Sequence, residues 1–164
     1  MTDVLPVLQA VVFISLLASA AVTDIKSRTI SYSVCAAVAA VGLIDFSPIQ
    51  LLGTGLAIPF FIASMKDRGG MGDVFLIAAS CFTLGPTKGA DGLVLALVCF
   101  ALFWLAATIV RKLGGKTDKP ASYPLAPFLA VGFTTAYFTG GFILLWVFLR
   151  IGQLLASFAS SWRL

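Results

Sequence analysis

Histidine and glutamate are absent from this sequence, and all seven acidic side chains are aspartates: Asp3, Asp24, Asp45, Asp67, Asp73, Asp91 and Asp118. Without histidine, the usual histidine-based triads and histidine-rich metal sites are excluded. Acid–base chemistry must then rest on aspartate, lysine, tyrosine or cysteine. The three cysteines, Cys35, Cys81 and Cys99, are far apart and lie inside apolar runs. No CxxC pair exists, so a zinc knuckle is excluded and the thiols read as small packing residues. Charge is scarce as well, at 11% of residues against roughly a quarter in a soluble domain. The net charge of +4 comes without a dense basic run, which argues against nucleic acid as a partner.

What remains is apolar. Hydrophobic residues make up 60% of the 164, and the mean hydropathy is +1.04. Apolar segments fall near 4–23, 30–46, 49–65, 73–89, 91–110 and 124–139, with a less certain one from 141 to about 158. Several approach or reach the roughly 17–25 residues that span a bilayer core. No alternating barrel pattern appears, so helices are the expected spanning element. The sequence therefore predicts an all-α, polytopic membrane helical bundle. It would have about six transmembrane helices plus an uncertain C-terminal helix, as a single domain over residues 1–164. The first segment has no basic flank before it and is long enough to span, so it reads as an uncleaved helix. The run after Asp73 is short. Either its helix continues past Pro86, or Asp73 lies slightly below the membrane surface.

Loop charges alternate. Lys26, Arg28, Lys66, Arg68, Arg111, Lys112, Lys116 and Lys119 all fall in the odd-numbered loops, which hold eight of the eleven basic residues. The second loop has none and the fourth only Lys88. The positive-inside rule then places the odd loops in the cytoplasm and the N-terminus outside. The stretch 111–124 reads as a cytoplasmic hairpin, and no internal repeat suggests an inverted-repeat transporter.

This topology sorts the aspartates. Asp3, Asp45 and Asp91 fall on the outer side, at helix ends or in short loops. Asp67 and Asp118 sit among basic residues, where solvation or surface pairing accounts for them. Asp24 and Asp73 remain, each at a cytoplasmic helix boundary. Asp73 follows a glycine turn in RGGMGDVFLIAAS (68–80), the ordinary setting of a helix cap. Asp24 precedes Lys26 and Arg28, so a surface ion pair explains it equally well. As a pair the two have another use. Neighbouring carboxylates share a proton, and peptide hydrolysis without a metal needs one ionised and one protonated member. The glycines also fit a phosphate loop, but no GK[ST] follows and a carboxylate occupies the helix start.

Gly70-Met71-Gly72-Asp73 resembles the GxGD signature of membrane aspartic peptidases, and GMGDVFLIAAS is similar to a stretch of the type IV prepilin peptidases. Asp24 to Ile30 resembles their other motif, an aspartate followed by basic residues. Pro124 to Gly132 resembles their late PxxPFLxxG segment. Two departures stand out: Ser31-Tyr32 replaces the usual Pro-Asn, and Phe75 the usual lysine. The resemblance points to the peptidase-only branch of Flp/Tad-type pilus systems, since the cysteine pairs of the methyltransferase region are missing.

The resemblance implies an endopeptidase that removes the basic leader of prepilin or pseudopilin-like substrates at the cytoplasmic face of a bacterial inner membrane. It makes Asp24 and Asp73 the catalytic pair and implies no cofactor. Gly70 and Gly72 would orient Asp73, a role suited to glycine's freedom at positive φ. Lys26 and Arg28 match basic positions of the motif, which topology alone also explains. The competing readings are an ion- or proton-coupled transporter and an inactive scaffold of a pilus or secretion system. The sequence is silent on oligomeric state.

Overall fold

A computed structural model describes residues 4–66, 70–113 and 123–142, together with Trp146, Val147, Arg150 and Gln153. Asp3, Asp67, Arg68, Lys116, Asp118 and Lys119 lie outside the described residues, as does most of the expected seventh segment. Every described element is helical: α1 (Val4–Ser27), α2 (Tyr32–Gly42), α3 (Gln50–Thr54), a 3₁₀ turn (Gly55–Ala57), α4 (Ile58–Met65), α5 (Met71–Leu113) and α6 (Ala126–Thr139). By length and composition, α1 and α5 can cross a membrane, whereas α2 and the stretch Gln50–Met65 are shorter apolar helices. The six expected segments thus correspond to helical structure, but only part of them has spanning length.

The outside of the bundle is oily. Leu5, Leu8 and Val11 on α1, and Leu102, Leu105 and Val110 on α5, are all exposed. An apolar surface this extensive is the mark of a chain that lives in lipid. Inside, α1 buries Ala10, Phe13, Leu17, Ala20 and Asp24. Their alternating spacing of three and four puts all five on one face, so Asp24 ends an inward stripe.

The helix α5 is the main surprise. Its 43 residues would measure about 64 Å if straight, twice the roughly 30 Å of a bilayer core. Instead the chain turns at Gly85, whose φ of 77° and ψ of 177° only glycine adopts readily, and Pro86 starts the second arm. The turn is a reversal. A Cβ on Gly89 would sit 3.2 Å from the Cα of Cys81, although eight residues along a straight helix span about 12 Å. An uninterrupted helix through Pro86 is therefore ruled out. The first arm is roughly 21 Å long. The boundary expected between 89 and 91 moves to Gly85, because the glycine–proline step breaks the helix before the hydropathy falls.

In lipid, helices gain little from apolar burial against each other, so close packing and hydrogen bonds hold them. A Cβ on Gly132 of α6 would collide with the Gly92 carbonyl and with Ala96 of α5. The Thr83 hydroxyl, 2.9 Å from the Ala79 carbonyl, reaches across to that of Val38 on α2 at 2.8 Å. These contacts fix an antiparallel order with two distinct ends. One end gathers the close of α1, the starts of α2, α5 and α6, and the end of α4. The other gathers the start of α1, the 43–49 turn, Gly85 and the end of α6; there the Tyr137 hydroxyl donates to Pro6 O at 3.2 Å. Arg111–Leu113 belong to α5 rather than to a loop.

Candidate active site

At the first of these ends a cleft of about 320 Å³ opens, and both Asp24 and Asp73 line it. They come from different helices and are close enough for the charge of one to act on the other.

Asp24 lies in the last turn of α1 and is only 7% exposed. A carboxylate there faces the negative end of its own helix dipole, an unfavourable place. The compensation comes from α6. The backbone N–H of Ala126, the first residue of that helix, donates to Asp24 Oδ2 at 3.0 Å. Pro127 sits beside it at the helix start, where a missing N–H leaves nothing unsatisfied. Asp24 is thus buried and held by a backbone donor from another helix.

The helix α1 ends just beyond. Arg28 N donates to Asp24 O at 2.9 Å, and Arg28 adopts a φ of 52°, uncommon for a residue with a side chain. That left-handed step turns the chain so that Ile30 meets Gly72. A Cβ on Gly72 would lie 3.1 Å from Ile30 Cβ, so the glycine leaves room for the segment that follows Asp24. The two aspartate-bearing motifs therefore touch through Gly72 and Ile30.

Asp73 sits in the first turn of α5, third from its start, rather than at the capping position. An acid there suits the positive end of the dipole. Its carboxylate turns back toward Gly70, where an added Cβ would stand 3.4 Å from Oδ2, ordinary contact. Gly72 does not have a positive φ, so the expected conformational reason does not hold for it. Gly72 supplies space instead.

The cleft is also lined by Gly70, Gly72 and Arg28, whereas Lys26 is exposed in the last turn of α1 and does not reach it. Ile30, Met71 and Tyr32, the last a departure from the motif, line it too. The Ala126 N–H went unnoticed. It lies within the Pro124–Gly132 stretch, whose resemblance to a family segment says nothing of a bond to Asp24.

A buried and a half-buried carboxylate thus line one cleft at the charged end of an oily, all-helical membrane bundle. The chain belongs to the type IV leader peptidase family, whose model matches residues 11–110. That stretch holds both Asp24 and Asp73 but stops short of Ala126. Over 145 residues the chain is 33% identical to the prepilin leader peptidase/N-methyltransferase of Bacillus subtilis (strain 168), covering 82% of this chain and 57% of that relative. It therefore spans less than two thirds of the relative's length. No solved structure gives a significant match.

Proposed function

We propose that the protein is an aspartic endopeptidase that cuts the basic leader from prepilin or pseudopilin-like substrates at the cytoplasmic face of a bacterial inner membrane. The observation that carries this reading is the cleft that Asp24 and Asp73 line together. In this mechanism the ionised member of the pair takes a proton from water as it attacks the scissile carbonyl. The protonated member donates to the carbonyl oxygen, and the proton then moves to the leaving amine as the C–N bond breaks. No covalent intermediate forms, and no cofactor is called for. The basic residues at this end (Lys26, Arg28, Lys66, Arg111 and Lys112) support a cytoplasmic placement. The separate, helix-embedded cysteines support cleavage without N-methylation, in the manner of Flp/Tad pilus systems.

The test is co-expression with a prepilin, scoring leader-bearing and mature bands. Asp24→Asn and Asp73→Asn should each leave the leader in place while the protein still inserts in the membrane. Full cleavage by either variant would remove the dyad from the mechanism.

A further inference from the structure

Asp24 and Asp73 line one cleft but are held differently. Asp24 Oδ2 accepts the Ala126 N–H at 3.0 Å, and a donor bound to a carboxyl group favours its ionised form. That N–H is one of the donors that a helix start leaves without an intrahelical acceptor. The positive end of α6 there also offsets the negative end of α1, on which Asp24 sits. The helix α6 brings no charged side chain to the cleft, only this backbone donor. Asp73, half-buried, accepts no N–H from another helix among the described residues. The start of α5 favours its charge, but a helix dipole is worth roughly threefold less than a charge-assisted hydrogen bond.

We propose that the pair is asymmetric: Asp24 is the ionised member, Asp73 carries the shared proton, and the Ala126 N–H is the positioning group that fixes this order. The proposal rests on the peptidase reading and assigns its two roles. Asp24 takes a proton from water as the water oxygen bonds to the scissile carbon, and Asp73 gives its proton to the carbonyl oxygen. Asp24 then passes its proton to the leaving nitrogen as the C–N bond breaks. Asp73 recovers one from a hydroxyl of the diol, so the product is a carboxylic acid and both aspartates return to their starting states.

The experiment removes one hydrogen. Cell-free synthesis into lipid vesicles, with a suppressor tRNA carrying lactic acid at position 126, replaces the amide by an ester and keeps the methyl group. Ala126→Pro, which also lacks the N–H and suits a first helical position, repeats the test by ordinary mutagenesis. Phenyllactic acid at position 128 is the control. It removes the Phe128 N–H bond to Leu125 O from the same helix start without touching Asp24. The readout is the pH dependence of kcat/KM for leader cleavage, whose acid limb reports the base and alkaline limb the acid. Without the Ala126 N–H the acid limb should move up by about one pH unit. The alkaline limb should hold, because Asp24 is ionised on both sides of that step. The control should move neither.

Other charged or titratable groups stand at this end among the described residues. Arg28 and Tyr32 line the cleft, Cys35 of α2 lies within reach of the Asp73 charge, and Arg111 is bonded to Tyr123. Lys26 and Lys66 are exposed. All are the same in the parent and the ester, so a shift belongs to the one bond. Movement of the alkaline limb instead would put the proton on Asp24 and overturn the proposal, as would no shift or an equal shift in the control. Infrared titration of the carboxyl C=O stretch follows the same two steps without turnover, as a difference from the Asp24→Asn/Asp73→Asn double variant. A moved first midpoint in a protein whose parent cuts no leader would keep the asymmetry and sink the peptidase reading. Cleavage with the wrong limb moving would do the reverse.

Discussion

Two buried aspartates stand near opposite ends of this bundle. Asp91, in the second arm of α5, is 2% exposed, and Asp24, in α1, is 7% exposed. Burial alone would rank Asp91 as the more unusual acid. Their surroundings differ, however. Asp91 lies between the close-packed Gly89 and Gly92, on which Cys81 and Phe133 press. Asp24 opens onto a cleft that a second carboxylate also lines. The comparison teaches that a buried carboxylate becomes a candidate for chemistry through access and a partner of its own kind, not through depth. The sequence places Asp91 on the outer side, at a helix end or in a short loop. The structure instead puts it inside the packed bundle, because the helix restarts at Pro86 and Asp91 follows within its early turns.

Equivalent substitutions at the two ends test this contrast. The largest separation should come from asparagine at each aspartate. Asn at position 24 keeps an acceptor for the Ala126 N–H but cannot take a proton, so cleavage should fall by roughly 10²–10⁴-fold. Asp91→Asn should cost about 1–3 kcal/mol of stability, yet the protein that remains folded should cut as the parent does. Leader-cleavage rates normalised to folded protein, set beside thermal melts, separate the two. A cleavage loss as deep for Asp91→Asn as for Asp24→Asn would erase the distinction between the ends.

A smaller effect is expected from two glycines that face nearly equal intrusions. An added Cβ would meet Ile30 Cβ at 3.1 Å from Gly72 and the Cys81 backbone at 3.2 Å from Gly89. Both neighbours must give by a few tenths of an ångström. At Gly72 the shift moves Asp73 against Asp24. Since about 1 Å of misplacement costs on the order of 10²-fold, Gly72→Ala should slow cleavage by about tenfold. At Gly89 the same intrusion loosens the turn around Gly85. Gly89→Ala should lower the melting temperature by an amount matching about 1–3 kcal/mol of overpacking, with little change in cleavage per folded molecule.

Much of this arrangement was legible in the sequence because lipid imposes simple rules. Apolar runs mark helices, and the alternating basic loops marked Asp24 and Asp73 as lying at one end before any contact was known. The misses have equally physical causes. A hydropathy scan averages over Gly85 and Pro86, although that pair is a strong break signal by itself. The bond from Ala126 to Asp24 joins residues 102 apart, and nothing local encodes it. The inward stripe that ends in Asp24 was masked because α1 is apolar on its lipid face as well. Tyr32 and Phe75, noted separately as departures from a motif, form one contact that only the fold brings together.

The finest comparison uses two tyrosine hydroxyls. Arg111 donates from Nη2 to the Tyr123 hydroxyl oxygen at 2.7 Å, joining the end of α5 to the strand of chain that leads into α6. Tyr137 donates to Pro6 O at the opposite end, at 3.2 Å. Phenylalanine at either position removes one hydrogen bond and keeps the ring, so each should cost about 0.5–1.5 kcal/mol. The rings retain their neighbours: Phe103 edge-on to Tyr123 at 5.4 Å, and Phe13 stacked on Tyr137 at 5.8 Å. Their consequences for cleavage should nevertheless differ. Tyr123 stands three residues before Ala126, so releasing it lets the start of α6 drift and weakens the donor on Asp24. Tyr123→Phe should therefore slow leader cleavage by about threefold, the scale of a slight misplacement. Tyr137→Phe, with a similar loss of stability, should leave the rate near that of the parent. Equal rates for the two variants at equal stability would mean that the Ala126 contact holds the fold together without tuning the dyad.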